Sequence, residues 1–162
     1  MRDVAIVSGG QTGADRAALD FAIEYGLPHG GWCPCGRRAE DGPIDEQYEL
    51  TETPSRRYTQ RTEWNIRDSD ATVVFSILRE ATGGTALTLA LAERLGKPCL
   101  HLSDETASAV GQDPSQELLD FLAAHHVSRL NVAGPRASQE PLVAEFVRSV
   151  LVAALDRREV SE

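Results

Sequence analysis

Residues 4–25 read VAIVSGGQTGADRAALDFAIEY, and this stretch decides the fold. Val4 to Val7, with Ser8 behind them, form a short apolar run closed by glycine, as a buried strand does. Gly9, Gly10 and Gly13 then supply a tight turn whose backbone amides can approach a ligand. A helix follows at once, with Ala14, Ala18, Phe21, Ala22 and Tyr25 on one face and Gly26 as its stop signal. A helix N-terminus carries about +0.5 charge and up to four unpaired N–H groups, so a strand, a glycine turn and a helix together suit an anion. Thr12 adds a hydroxyl donor. The same glycines also suit a plain tight connection; three of them within five residues favour the anion site.

The chain has 162 residues, expected to form one domain over 1–162 large enough to bury about two-thirds of its unfolded surface. No apolar run is long enough to span a bilayer, and Arg2 and Asp3 run straight into the first strand, so neither a membrane span nor a signal peptide is expected. Three cysteines without a dense framework suit a reducing, cytoplasmic setting. A net charge of −9 argues against a general nucleic-acid binder, which needs a basic face for phosphates. Of the 16 basic residues only Lys97 is not arginine, and six arginines (Arg37, Arg38, Arg56, Arg57, Arg61, Arg67) fall between positions 37 and 67. Arginine suits bidentate capture of phosphate or carboxylate, although seven acids in the same window also allow a solvated, ion-paired loop.

Strand and helix alternate through the rest of the chain, which predicts an α/β fold with a mainly parallel, five-stranded sheet. A short second strand is expected at His29–Cys33. Residues 34–54 show neither periodicity and read as a binding loop. A polar helix over Tyr58–Arg67 places Tyr58, Arg61, Asn65 and Asp68 on one stripe. Ala71–Ser76 is a third strand, buried on both faces. It leads to a second glycine turn, Thr82-Gly83-Gly84-Thr85, and to a helix over Ala86–Leu95 apolar enough to be packed in the core. Strands at Cys99–Leu102 and Arg129–Ala133 flank a helix opened by Asp113 as N-cap and Pro114 at the first helical position. Pro141 opens a final helix, and Arg157 onward is expected to fray.

In a doubly wound sheet of order 2-1-3-4-5, strands one and three are neighbours where the winding reverses, and ligands bind in the crevice at their carboxyl ends. Both glycine turns would then face one crevice, with Thr82 and Thr85 supplying hydroxyls opposite Gly9–Gly13. Ala14-Asp15 after Gly13 excludes a P-loop, and G-G-x-x-G with Cys33 at the end of strand two excludes a dinucleotide fingerprint. His29, Cys33 and Cys35 fall short of a zinc ligand set, and Cys99 and His101 read as ordinary buried side chains, so no metal site is expected. Asp15, Asp68 and Asp70 are candidate site carboxylates, with a helix-dipole role open for Asp15 and a strand-entry role for Asp70.

Taken together, SGGQTGAD (8–15), GGWCPCGRRAEDG (30–42), YTQRTEWNIRDSD (58–70) and TGGTALT (82–88) resemble the family of putative molybdenum carrier proteins over Val4 to about Leu102. The resemblance implies a Rossmann-like fold shared with lysine-decarboxylase-like phosphoribohydrolases. It implies a carrier or storage protein for molybdenum cofactor, a pterin with a phosphate and a dithiolene-held oxometal, that forms homodimers or tetramers and supplies a recipient molybdoenzyme. Carried onto this chain, the oxyanion cradle would be Gly9, Gly10, Gln11, Thr12 and Gly13, with Gly83, Gly84 and Thr85 opposite. Arg37, Arg38 and Arg61 would balance ligand charge, and Asn65 with Asp15 or Asp68 would read the pterin. A bulky residue at Gly13 is then expected to abolish binding and leave the fold intact. Cys35 departs from the family pattern CP-x-GR. Thr88 stands where the phosphoribohydrolases carry a glutamate, which removes the obvious general acid/base and favours binding over hydrolysis. Hydrolysis of a nucleoside monophosphate, with Asp15, Glu40 or Glu63 as acid, and nucleotide sensing remain the alternatives.

Overall fold

The computed structural model describes residues 4–156; Arg2, Asp3 and the segment from Arg157 onward lie outside them. The first strand, β1, is Ala5–Val7, and α1 is Ala14–Tyr25, which starts at Gly13 and ends at Gly26 in the left-handed conformation (φ 69°). Leu27 N–H closes that end on Ala22 O at 2.8 Å. The helix start is tied back to the strand, because Ser8 Oγ donates to Asp15 O at 2.9 Å.

The expected second strand is split. His29–Gly30 (β2) joins the main sheet, whereas Trp32–Cys33 (β3) pairs in parallel with Thr51–Glu52 (β6) in a separate ladder. Between them, Arg38–Ala39 (β4) and Gly42–Pro43 (β5) make a small antiparallel hairpin. Residues 34–54 are therefore an ordered excursion with its own apolar centre, in which Cys33, Ala39, Ile44 and Tyr48 pack on Leu19 of α1. The polar surroundings hid these few apolar residues from any periodicity.

The second half begins with α2 (Tyr58–Arg67), β7 (Ala71–Ser76) and α3 (Gly83–Arg94). It continues through β8 (Cys99–Ser103), α4 (Asp104–Val110), α5 (Pro114–Ala124), β9 (Arg129–Ala133) and α6 (Val143–Leu155). The short α4 is not anticipated by the sequence reading, although Ser103 as N-cap (accepting from Thr106 N–H at 3.0 Å) and Gly111 as left-handed stop are its signals. Asp113 caps α5 as expected, accepting from Ser115 N–H at 3.0 Å.

The main sheet is parallel and five-stranded, as expected, but its order is β2-β1-β9-β7-β8. Counted along the chain this is 2-1-5-3-4, so the expected 2-1-3-4-5 is corrected: the last strand inserts between the first and the third. Its residues explain the position. Leu130, Asn131 and Val132 are all buried, which demands cover on both faces, and Asn131 Nδ2 finds a partner in Thr72 Oγ1 of β7 at 3.2 Å. Ile6 of β1 registers with Leu130 on one side, and Val73 of β7 with Val132 on the other. The edge falls instead to β8, whose Cys99, Leu100 and His101 are only half-buried. Renumbered from its last strand, the sheet reads 3-2-1-4-5, the order of a doubly wound, Rossmann-like sheet.

The larger core joins α1, α5 and α6 to one side of the sheet, where Phe21, Leu118, Val147 and Leu151 meet Ile6, Val73, Phe75 and Val132. On the other face Ile66 of α2 packs with Leu91 and Ala92 of α3. The expectation that α3 is packed into the core on nearly all sides is corrected, since Leu87 is 37% exposed and only Thr85, Thr88, Leu91 and Ala92 are buried. Small, weakly polar side chains suit a helix that keeps one face to an open crevice. Among the described residues no helix is long and apolar enough to cross a membrane.

Candidate functional site

A crevice of about 80 Å³ opens at the carboxyl ends of β1, β9 and β7. Its lining comes from both glycine turns (Gly9, Gln11; Gly84, Thr85) and from the segment after β9 (Gly134, Pro135, Arg136). Tyr58, Arg61 and Asn65 of α2 cover it. The two turns, about seventy residues apart in the chain, thus share one cavity, with a third loop between them.

The first turn is largely occupied by protein. A methyl on Gly9 would collide with the guanidinium of Arg61, which lies directly on the turn. Gly10 (φ 78°) faces Ile44 and Leu50 of the excursion, and Gly13 (φ 80°) abuts the backbone of Pro135–Ala137. The N-terminus of α1 is correspondingly satisfied from within, with Ala14 N–H donating to Pro135 O at 3.2 Å and Gln11 N–H to Asp15 Oδ2 at 3.3 Å. The expectation that Gly13 can be enlarged with the fold intact is therefore corrected: a side chain there strains the positive φ that Gly13 adopts and pushes on the main-chain atoms of 135–137.

Arg61 and Asp15 form a buried ion pair, Nη1 to Oδ2 at 3.0 Å, in the crevice lining. Burial raises the Asp15 carboxyl above its ordinary range, while Arg61 and the Gln11 amide pull it back down. The stripe read on α2 does bring Tyr58, Arg61 and Asn65 together under one roof. Tyr58 carries the charge cluster: the guanidinium carbons of Arg38, Arg61 and Arg136 lie 4.7, 5.2 and 5.4 Å from its ring centroid. In a chain of net charge −9 this is a local concentration of cations at the crevice mouth.

The second turn is the open one. Thr82, Gly83 and Gly84 are exposed, and a Cβ on Gly84 would meet nothing within 4 Å. Thr82 is the N-cap of α3 without a side-chain cap bond, and Thr85 and Thr88 face the cavity, Thr88 Oγ1 donating to Gly84 O at 2.9 Å. Gln11 adds a donor held in a fixed orientation. Its Oε1 accepts from Thr12 N–H (3.1 Å) and Glu40 N–H (2.9 Å), while its buried Nε2 has no partner.

Several expected site residues are spent elsewhere. Arg37 (φ 53°) gives its guanidinium to four carbonyls of the excursion, those of Ile44, Asp45, Tyr48 and Leu50, at 2.8–3.3 Å. Its role is to clamp that segment, not to face the crevice. Arg38 donates to Arg56 O at 3.1 Å and reaches the site only across Tyr58. Asn65 lines the cavity, but its amide brackets the Trp32 backbone, accepting from N–H at 2.7 Å and donating to O at 2.9 Å. Asp68 lies outside, holding Trp32 Nε1 (2.9 Å) and Arg67, whose guanidinium lowers its carboxyl to about 2. Thr12 is outside the crevice lining, its hydroxyl donating to Glu40 and accepting from Ala137 N–H at 3.1 Å. Cys35 is half-buried, its N–H bonded to Ser55 O at 2.9 Å. Glu63 is drawn to Arg94 on the surface, and Glu40 to Thr12 and Ser138. Among the described residues no group of three or more metal-ligating side chains gathers.

Arg136, Gln139 and the Gly134-Pro135 corner are site residues that the sequence reading missed. Their signal was a glycine–proline pair directly after a strand. Only the strand order makes it count, because β9 is the first strand of the renumbered sheet and the loop after that strand is where such folds approach a phosphate.

Compared with known proteins, residues 6–155 match the family model described as the circularly permutated YpsA SLOG family. A circular permutation is the relation that turns an order of 3-2-1-4-5 into the observed one. The crystal structure of the putative molybdenum carrier protein from Syntrophus aciditrophicus SB is 44% identical, covers 95% of this chain and 96% of its own, and superposes with a TM-score of 0.90. No curated protein matches.

Proposed function

The chain belongs to the circularly permutated YpsA SLOG family, and from that premise we propose that it binds, shields and carries molybdenum cofactor in the crevice between α3, α2 and the loop after β9. The observation that carries this reading is the meeting of an open helix N-terminus with Arg61 and Arg136 on one aromatic ring, a donor set for a dianionic phosphate. The cavity size refines it. At about 80 Å³ it lies well below the roughly 300–1,000 Å³ of pockets that enclose whole ligands, so the phosphate enters and the pterin stays at the mouth near Tyr58. The name of the 44% identical Syntrophus protein supports the choice of cargo. In this reading the protein is a cytoplasmic homo-oligomer that hands the cofactor to an apo-molybdoenzyme.

A nucleoside monophosphate offers the same phosphate, and the raised carboxyl of Asp15 is a possible acid for its hydrolysis. Asp15 Oδ2 is committed to Arg61 and to the Gln11 amide, however, and Thr88 supplies no carboxylate, so carriage is the better reading. The test is incubation with molybdenum cofactor, followed by native mass spectrometry and transfer to an apo-molybdoenzyme. The wild type retains the cofactor, and Arg136→Ala weakens retention about tenfold, the loss of one charge-assisted phosphate contact. Release of free base from nucleoside monophosphates, with no cofactor retained, would assign the hydrolase instead.

A further inference from the structure

The hairpin of β4 and β5 carries Glu40 and Asp41 at its tip, and Glu40 there approaches Arg136 of the crevice lining. Glu40 sits there in a set of donors of the kind that binds ligand anions. Its carboxylate accepts from Ser138 N–H at 3.2 Å, from Ser138 Oγ at 2.6 Å and from the Thr12 hydroxyl, and lies 4.0 Å from Arg136 Nε. Those donors belong to the first glycine turn and the loop after β9, and Arg136 also lines the crevice. We propose that Glu40 is a tethered stand-in for the ligand: its carboxylate fills an oxyanion subsite made by Thr12, Ser138 and Arg136, and a phosphate-bearing ligand gains the subsite by displacing it.

Carboxylate and phosphate oxygens take the same donors, and a dianion takes them more strongly. Hydrogen bonds from Ser138 and Thr12 hold Glu40 below the usual carboxylate range, so the stand-in is charged at neutral pH. The hairpin tip is held mainly by polar contacts, with Asp41 on Arg16 at 2.5 Å, which makes it a low-cost segment to open. Departure of Glu40 also releases Gln11, because the Glu40 N–H holds Gln11 Oε1. With only the Thr12 N–H left on its Oε1, that side chain is less constrained and its buried, unpartnered Nε2 can adjust toward an anion. The displaced carboxylate in effect trades one set of donors for water, and the ligand gains both Arg136 and Gln11.

This inference rests on the reading of the crevice as an anion site, and the experiment separates the two. Inorganic phosphate is titrated calorimetrically into wild type and Glu40→Ala at fixed ionic strength, and backbone hydrogen exchange of residues 38–43 is followed in wild type with and without phosphate. About tenfold tighter phosphate binding by Glu40→Ala is expected, as for removal of a competitor that occupies the site nine-tenths of the time. Ser138→Ala added to Glu40→Ala takes back much of that gain, and phosphate speeds exchange in the wild-type hairpin. Phosphate binding by wild type that Glu40→Ala leaves equal or weakens, or exchange across 38–43 that phosphate leaves unchanged or slows, overturns the stand-in alone. Phosphate binding to neither protein overturns the anion crevice as well.

Discussion

Two glycines that look alike in the sequence have opposite jobs. Gly134 is wedged between the Phe75 carbonyl and the Ala14 methyl, both fixed by the core, so the hydrogen at its Cα is all the space permits. Gly84 is in a helix, exposed, with open space beside it. Gly134→Ala is expected to destabilise by about 3 kcal/mol through overpacking. Gly84→Ala, in the first turn of α3, is expected to gain up to about 0.5 kcal/mol while weakening ligand binding, because Gly84 lines the crevice. Urea midpoints of the two variants, measured with a phosphate titration, check both signs. At this scale the sequence reading put Gln11, Asp15, Arg61, Asn65 and Thr85 on the crevice lining that the structure shows, did not foresee that Arg37 and Asp68 face elsewhere, and left the tasks of all of them unread. Spacing put Arg61, Asn65 and Asp15 in reach of one another, but not the fact that Arg61 neutralises Asp15 or that Arg37 is consumed by four carbonyls. Such partners depend on where the excursion folds back, and no local pattern encodes that.

Helices and strands were legible where one periodicity ran unbroken. The bounds of α1, α2, β7 and β9 were legible from the glycine stop of α1, the three- and four-residue stripe of α2 and the mostly apolar runs ATVVFS and RLNVA. Their arrangement was not, since RLNVA carries no mark of being central until Asn131 is seen to have Thr72 as its partner. One carboxylate reinforces the start of the ladder between β7 and β9. Asp70 Oδ2 accepts from Ser128 and Arg129 N–H at 2.9 and 2.8 Å, and these bonds lower its carboxyl below the ordinary range. A lowered carboxyl contributes stability that is present above about pH 4 and is lost as pH falls through its folded-state value. The urea midpoint of the wild type should therefore drop below about pH 4. Asp70→Asn should start from a lower midpoint at neutral pH and show a shallower acid loss. An unchanged acid profile in that variant would assign the join to the strand ladder alone.

For the molecule as a whole, the crevice is a product of topology. Moving the last strand to the centre of the sheet brings Gly134–Arg136 between two turns that the chain order keeps apart, and α2 closes them over with Tyr58 and Arg61. The result is a small recess lined by Arg61 and Arg136 in a strongly acidic protein, and the proposed anion site rests on that contrast. The most direct measurement is a crystal structure of the protein grown with molybdenum cofactor. Phosphate density between the Gly84 end of α3 and Arg136, with the pterin beside Tyr58, is the result predicted here. A cofactor bound at any other surface, with the recess holding only water, would contradict the account.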